Sequence, residues 1–444
     1  MPDVLHRGRR ADVALRGSRV VLRSLLARRF QTVTTSITVA IAVGLLLTIM
    51  SMRDATKQTL ERGAGNMHLV VSAEPSSLVS VLNSVFHAGT PSQAMPWLSV
   101  QQLQRDPRVA YAMPIQQGDS FDRFPVTAVL PEFFNRFSPD PRFDPDGSDR
   151  GTPWRASRGR LLEDRFEAVL GSQVARESGL DIGDMIVLTC GLAGVGMVHE
   201  GFAYEIVGVL EVSGTPHDRV VFADLASGWI IHAQDKRDRE AGGRADPVTE
   251  ADLSASDRLV TGVYVRGVVR EGRQASAAIA ELASELRRNP TLTVASPASE
   301  IDALFRIVNR VDRLLIAMAF VVLVSGAVSI MLALYSSGQM RRREIATFRV
   351  LGASRGRIVS WVLAEAVILG AAGAVLGGVV SVVGGHVVAW GLKVQLGLVV
   401  EPAISPAAFG LVSAVAIVLA AIAGIAPAIL AYRTTVAEHL RPLG

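Results

Sequence analysis

The sequence predicts an α-helical membrane protein: four transmembrane helices, with a large mixed α/β extracytoplasmic domain between the first and the second. Three observations predict this fold class. Apolar runs long enough to cross the hydrocarbon core, which takes about 20 residues, occur once near the start and three times toward the end of the chain. Arginine collects in the segments that flank these runs, as is typical of the cytoplasmic side. The stretch between the first two runs instead carries short apolar strands and amphipathic helices.

The chain starts with a basic segment over residues 1–32, which we expect in the cytoplasm, followed by the first transmembrane helix over 33–52. A cleaved signal peptide is the competing interpretation. The run is long for the apolar region of a signal peptide, and no small-x-small cleavage site follows Met50. We therefore expect an uncleaved anchor with its N-terminus inside the cell.

Residues 53–312 are expected to form the extracytoplasmic domain, with a helical stalk at each end. The first stalk extends the first span until Gly63 stops it, and the second begins at Pro297, because proline suits the first turn of a helix. Two stretches are expected to be exposed loops or small insertions: 139–153, rich in Pro, Asp and Gly, and 233–256, which is charged and contains glycine.

The rest of the predicted layout alternates across the membrane, and its short-loop charges agree throughout. It comprises a second transmembrane helix over 313–337, a cytoplasmic loop over 338–358, a third helix over 359–392, an outer loop over 393–406, a fourth helix over 407–432 and a cytoplasmic tail over 433–444. Both termini then face the cytoplasm, and the protein is a multi-pass protein of the inner (plasma) membrane.

Small residues recur at four-residue spacing within the spans, a pattern that lets helices approach closely. The candidate packing residues are Ala40, Gly44, Ser329, Ala333, Gly373 and Gly377. Ionisable groups inside spans usually mark ion or proton routes. The two candidates, Glu365 and His386, fall near span ends, where an interfacial role is the simpler interpretation. The spans thus indicate helix packing within and between subunits in place of a water-filled pore.

Several kinds of chemistry are missing from the sequence. A P-loop requires a lysine directly after glycine, and none of Lys57, Lys236 and Lys393 follows one. No G-x-S-x-G elbow or H-E-x-x-H helix occurs. The arginines flank membrane spans without an aromatic platform, which argues against nucleic-acid binding. We predict no catalytic residue, no metal site and no cofactor bound by this chain.

Two adjacent pairs, His199–Glu200 and His217–Asp218, could in principle bind a metal or act as acid and base. Neighbouring side chains on a strand point to opposite faces, so neither pair converges on one ligand, and no supporting cluster is visible in the sequence. His87 is expected to be an ordinary polar residue. The single cysteine, Cys190, cannot form an internal disulfide and is expected to be a small core residue.

The predicted cytoplasmic loop between the second and third spans is patterned. Ile345, Phe348 and Leu351 recur at helical spacing on a basic segment, which predicts a short amphipathic helix. Gly352 can end this helix and Ser354 can cap the next one. The apolar ridge has two possible destinations, the lipid headgroups or a groove on a soluble partner.

This loop resembles the signature of MacB/FtsX-type (type VII) ABC transporter permeases, which are related to the lipoprotein-release permeases. The matching string is Arg342-Arg343-Glu344-Ile345, then Arg349-Val350-Leu351-Gly352-Ala353-Ser354. Two further matches are Leu170-Gly171 with Gly183-Asp184, in the predicted outer domain, and Tyr432-Arg433 at the end of the fourth span. The resemblance covers nearly the whole chain.

The resemblance implies a permease subunit without enzymatic activity of its own. Its expected partners are a cytoplasmic ABC ATPase, which holds ATP and Mg²⁺, a second permease subunit (a homodimer or a paralogue), membrane lipids, and a periplasmic or outer-membrane protein. The loop would be the coupling helix. Its ATPase-coupling residues would be Arg342, Arg343, Glu344, Ile345, Phe348, Arg349, Leu351, Gly352 and Ser354.

Two functions are compatible with that resemblance. The first is export or extraction of a hydrophobic or lipidated substrate, driven by ATP hydrolysis in the partner chain and by movement of the extracytoplasmic domain. The alternative is a non-transporting mechanotransmission subunit that regulates an extracytoplasmic partner enzyme. A membrane-bound sensor or enzyme is disfavoured, since no catalytic constellation is recognisable between residues 53 and 312.

Overall fold

The computed structural model describes residues 26–143, 153–191, 196–268, 277–340, 346–347, 349–350, 353–396 and 400–433. Its α-helices are α1 (Arg29–Gly63), α2 (Ser77–Ser84), α3 (Trp97–Arg105), α4 (Phe133–Arg136), α5 (Ser172–Ser178), α6 (Leu225–Ala241), α7 (Ala277–Leu286), α8 (Pro297–Met340), α9 (Arg355–Leu396) and α10 (Pro406–Arg433). Its strands are β1 (Leu69–Ser72), β2 (Met95–Pro96), β3 (Val109–Phe121), β4 (Phe124–Val129), β5 (Ala156–Gly159), β6 (Glu167–Leu170), β7 (Met185–Cys190), β8 (Val198–Leu210), β9 (Val221–Asp224), β10 (Leu259–Val260), β11 (Gly262–Gly267) and β12 (Thr293–Ala295).

The described residues fall into two compact units. The helical unit holds the residues up to Ala55, those of Val308–Gly391 and those from Glu401 onward. The α/β unit holds Thr56–Ile307 together with Leu392–Val400. Helices α1 and α8 each contribute residues to both units.

Four of the described helices, α1, α8, α9 and α10, are long and apolar enough to span a membrane. The mixed α/β structure lies in the sequence between the first and the second of them. The predicted fold class is therefore confirmed. Helix α1 ends at Gly63 and α8 begins at Pro297, which are the two helix limits that the sequence predicted.

The α/β unit is built on one large sheet. Among the described residues it has ten strands in the order β12-β1-β11-β3-β4-β9-β6-β8-β5, with β7 paired to β3 and β8. The pairs β4–β9 and β6–β8 are parallel, and the remaining neighbours on this path are antiparallel. The sheet is consequently mixed.

Both faces of this sheet are covered, because apolar side chains alternate along its strands. On β1, Leu69 and Val71 belong to one core, and Val70 belongs to the other. Helices α3, α5, α6 and α7 supply the first core, whereas α2 and α4 supply the second. The sheet is thus the central layer of the unit.

One predicted loop is wrong. Residues 233–256 were expected to be an exposed loop, but α6 runs on to Ala241. The helix starts at Asp224, whose carboxylate accepts the Ser227 N–H at 2.8 Å, and ends at Gly242, which has a left-handed φ of 65°. The charged residues of its last turns are exposed, so composition alone suggested a loop. Of the other predicted loop, residues 144–152 lie outside the described part.

The prediction that Cys190 is a core residue is also wrong, since its side chain is exposed. Cys190 is the last residue of β7, a strand that lies off the main path of the sheet. Ile186 and Leu188 occupy the buried positions of that strand. Strict alternation would put Cys190 on that same buried face, but the pairing of β7 with β8 shifts register between Val187 and Thr189. After this irregularity Thr189 is buried and Cys190 is exposed.

Candidate functional site

Most of the predicted ATPase-coupling segment lies outside the described residues: Arg342, Arg343, Glu344, Ile345, Phe348, Leu351 and Gly352. Arg349 is described and half-buried. Ser354 lies directly before α9, and its hydroxyl oxygen accepts the Arg357 N–H at 3.3 Å. Ser354 therefore caps the helix that follows, as the sequence predicted.

The small residues of α1 and α9 meet in the helical unit. A Cβ placed on Gly377 would lie 2.6 Å from Val43 Cβ and 3.0 Å from the Ala40 carbonyl oxygen. A Cβ on Gly373 would lie 2.5 Å from Val39. Gly44 faces the same helix, since a Cβ there would lie 2.6 Å from Val380. The two backbones are therefore close along this contact, which only glycine permits.

The small residues of α8 lie beside polar groups from the start of α1. Gln31 Nε2 donates to the Ala333 carbonyl oxygen at 3.2 Å, and Arg28 Nη2 donates to the Ser337 carbonyl oxygen at 3.2 Å. Ser329 is half-buried, and its hydroxyl donates to the Ser325 carbonyl of its own helix. The bonds from Gln31 and Arg28 pair backbone carbonyls of α8 in a setting where unpaired polar groups are costly.

A second set of contacts ties the two stalk helices together within the α/β unit. We name it the junction cluster: Leu60 and Ala64 from α1, with Ile301 and Phe305 from α8. All four are buried, and Phe86, which follows α2, packs against them. The C-terminal end of α1 and the N-terminal part of α8 therefore share one apolar core.

A chain of hydrogen bonds joins the end of α1 to the central sheet. His217 Nε2 lies 3.0 Å from the Gly63 carbonyl oxygen, which can only accept, so this nitrogen carries the proton. His217 Nδ1 is then an acceptor for His87 Nε2 at 3.2 Å. His87 Nδ1 in turn accepts from Gln117 Nε2 of β3 at 2.7 Å. We name this set the histidine chain; its partners fix both neutral tautomers.

The histidine chain is buried, and burial decides its charge. Desolvation lowers the pKa of His217 to about 4 and lowers that of His87 well below its usual value. The proximity of the two rings adds to the effect on His87. Both imidazoles are therefore neutral at neutral pH, which the bonding pattern also requires.

The backbone directly after α1 is restricted in its conformation. Gly65 has a φ of 55°, and a Cβ on it would lie 2.2 Å from the Ser138 carbonyl oxygen. The next side chain, Asn66, donates to the Arg136 carbonyl at 2.9 Å and accepts from the Tyr111 hydroxyl at 2.7 Å. Such paired, buried polar groups hold the exit of the helix in one geometry.

Sequence reasoning missed these roles for histidine. His87 was expected to be an ordinary polar residue, which is wrong because it is a buried member of the histidine chain. His217 and Asp218 do not act as a pair, since the Asp218 carboxylate accepts from Ser213 and Gly214 instead. His217 and His87 are 130 residues apart, so no local pattern could reveal their contact.

The other pair, His199–Glu200, behaves as the alternation of a strand predicts: His199 is buried and Glu200 is exposed. The expectation that His199 has no supporting cluster is wrong, however. Asp119 of β3 and His232 of α6 lie beside it. The pairing of β7 with both β3 and β8 brings Asp119 and His199 together, and α6 supplies His232 from a third part of the chain.

Two family models match this chain. The MacB-like periplasmic core domain matches residues 32–285, more than half of the chain, and the FtsX-like permease C-terminal matches residues 316–436. The chain belongs to the MacB/FtsX-type ABC transporter permeases. It is a multi-pass membrane protein, and this class of permease associates with a cytoplasmic ABC ATPase and forms dimers.

Two solved extracytoplasmic domains match part of this permease. The periplasmic region of MacB from Actinobacillus actinomycetemcomitans is 10% identical, with 55% of this chain and 94% of that chain covered and a TM-score of 0.31. The extracellular domain of the noncanonic ABC-type transporter YknZ from Gram-positive bacteria is 8% identical, with 51% and 98% covered and a TM-score of 0.25. No curated protein sequence matches the permease.

Proposed function

We propose that this permease couples ATP hydrolysis in a separate cytoplasmic ATPase to movement of its α/β unit, and that this movement exports or extracts a hydrophobic or lipidated substrate. In this proposal both termini and the loop over 338–358 face the cytoplasm, and the α/β unit faces the other side. Force enters at the coupling segment and reaches the α/β unit through α1 and α8. The switch is a rigid-body one.

The observation that carries the proposal is the junction cluster together with the histidine chain. Motion along a helix moves a domain only where the helix end is fixed to the core of that domain. Leu60 and Phe305 provide an apolar attachment, and the bond from His217 to the Gly63 carbonyl provides a directional one. Close-packed protein interiors have low compressibility, so displacement is passed on instead of absorbed.

The coupling segment supplies the first prediction. The double variant Phe348→Asp with Leu351→Asp places two carboxylates on the apolar ridge, which can no longer insert into an apolar groove of the ATPase. Since interface anchors of this kind are worth about 2 kcal/mol or more each, the permease should bind the ATPase at least about 100-fold more weakly. Copurification and ATP hydrolysis by the coexpressed pair measure the effect.

Thr347→Asp is the matched control, because it adds a carboxylate to the same segment away from the ridge. This variant should retain ATPase binding. Equal recruitment by the double variant and the wild type would remove the coupling assignment. Loss in both variants would instead indicate that charge alone repels the partner.

The junction cluster supplies the second prediction. Phe305→Ala leaves a cavity among Leu60, Ala64 and Ile301 that costs about 3–5 kcal/mol locally. ATPase binding should persist, whereas ATP-driven movement of the α/β unit should be lost. The movement can be followed with a nitroxide on Cys190, which is exposed and is the single cysteine of the chain. Distances between labels in the dimer are then compared with and without ATP.

Ile307→Ala is the control for this experiment. It removes an aliphatic side chain two residues further along α8, where Ile307 is 64% exposed and outside the cluster. The ATP-dependent distance change should survive in this variant. An unchanged distance response in Phe305→Ala would show that the junction does not transmit the motion.

A further inference from the structure

Three side chains that are not part of the junction cluster come together between β3, β8 and α6 of the α/β unit. Asp119 lies near the end of β3, His199 near the start of β8, and His232 on the first half of α6. One ligand atom from each lies within 4.8 Å of those from the other two. The proposed coupling mechanism does not involve these three residues.

The ligand atoms of the group are close enough to approach a single ion. His199 Nε2 lies 3.3 Å from Asp119 Oδ1, and His232 Nε2 lies 3.4 Å from Asp119 Oδ2. Both distances exceed the roughly 2.7–2.9 Å of a charge-assisted N–H···O⁻ bond. Each distance is close to the edge, about 3.3–3.4 Å, of a tetrahedron whose metal–ligand bonds are about 2.0–2.1 Å. The two distances run to different oxygens of the Asp119 carboxylate, and the ligand atoms of the whole group lie within 4.8 Å of one another.

A second carboxylate lies behind the first imidazole. Asp235, one turn along α6 from His232, places Oδ2 2.8 Å from His199 Nδ1, in a bent approach. A carboxylate against the far nitrogen of a ligating histidine orients the ring and leaves the other nitrogen free to bind a metal. The His199 side chain is fully buried, whereas His232 is 35% exposed and opens the group to solvent.

We propose that Asp119, His199 and His232 form a binding site for a divalent transition-metal ion, with Asp235 orienting His199. Two imidazole nitrogens and one carboxylate oxygen suit Zn²⁺ and its neighbours, and disfavour Ca²⁺ and Mg²⁺, which require mostly oxygen ligands. Three protein ligands leave a fourth position for water or for a group from another molecule.

The ligands determine what the ion would do. They come from β3, β8 and α6, three elements that are distant in sequence, so an ion would cross-link them. Because a site with this geometry does not exist in the unfolded chain, binding would stabilise the α/β unit by mass action. The extracytoplasmic part of the permease would then respond to the availability of the metal.

The test is a titration of the full-length permease in detergent with Zn²⁺ alone, in competition with a chromophoric chelator at neutral pH. One ion per chain is expected. Asp235→Asn removes only the group that orients His199 and should weaken Zn²⁺ binding about 10- to 100-fold. His232→Gln and Asp119→Asn each remove a ligand and should weaken Zn²⁺ binding more, by over about 100-fold. Zn²⁺ should raise the melting temperature of the wild type and not that of His232→Gln.

Asp122→Asn is the control, because Asp122 is an exposed aspartate in the turn between β3 and β4 and lies outside the group. Its affinity for Zn²⁺ should equal that of the wild type. A wild-type chain that binds no stoichiometric Zn²⁺, or a His232→Gln variant of unchanged affinity, would overturn the site.

Co²⁺ added to the wild type gives a readout that requires no variant to fold. Intense visible d–d absorption is expected from tetrahedral ligation by nitrogen and oxygen. The weak spectrum of hexa-aqua Co²⁺ would contradict the assignment.

Discussion

Gly377→Leu is expected to destabilise the helical unit by about 3 kcal/mol, because overpacked contacts of this kind typically cost 1–3 kcal/mol and this one involves the backbone. A Cβ at this position would lie 2.6 Å from Val43 Cβ and 3.0 Å from the Ala40 carbonyl oxygen. Helix α1 would have to move away from α9 along the contact that also includes Gly373. Thermal unfolding in detergent, followed by tryptophan fluorescence and size-exclusion chromatography, measures the loss.

The same substitution at Gly391 is the control for this variant. Gly391 lies on the same helix, and a Cβ there meets no atom within 4 Å. Both variants gain the same intrinsic helix propensity, about 1 kcal/mol relative to glycine, so the difference between them reports packing. If Gly377→Leu has the same melting temperature as Gly391→Leu, the α1–α9 contact contributes nothing to stability.

Acidification is expected to weaken the α/β unit between pH 6.5 and about 4, chiefly through the histidine chain. Burial lowers the pKa of His217 from 6.5 to about 4, so in this window the unfolded chain binds the proton and the folded chain does not. The stabilisation is fully present above pH 6.5 and is lost as the pH falls through the folded pKa. A pKa change of this size corresponds to about 3 kcal/mol.

Amide hydrogen exchange of β3 and β11 in the full-length permease measures this pH dependence, because these strands are central to the sheet. His217→Gln is the informative variant: its amide can still donate to the Gly63 carbonyl but does not titrate. It should flatten the dependence by about 3 kcal/mol. His68 and His87, whose pKa values are also lowered, remain in the variant, so some dependence should persist. Identical pH profiles would contradict the assignment.

Local patterns predicted the elements whose signals are strong. Helix α5 ends at a local signal of this kind, because Gly179 directly follows it with a left-handed φ of 74°. Strand β3 was not predicted. It contains Pro114 and Gly118, which weaken a strand locally, and it forms because β11 and β4 pair with it on either side.

The candidate coupling site shows the same division. Ser354 was predicted as a helix cap because capping depends on residues a few positions apart, and its bond to the Arg357 N–H confirms the cap. The junction cluster could not be predicted, since Leu60 and Phe305 lie near opposite ends of the sequence that forms the α/β unit. Their hydrophobicity predicted burial and left the partner undetermined.

By itself the sequence determined the four membrane-spanning helices, the position of the α/β domain between the first two, and the resemblance to a permease family. These features follow from the thickness of the hydrocarbon core, from charge placement and from short motifs, all of which act locally along the chain. Only the tertiary structure decided which polar groups meet. His87 reaches His217 across 130 residues because the segment after α2 packs against the turn before β9. His199 reaches Asp119 across 80 residues because β7 pairs with both β3 and β8, and no local pattern relates either pair.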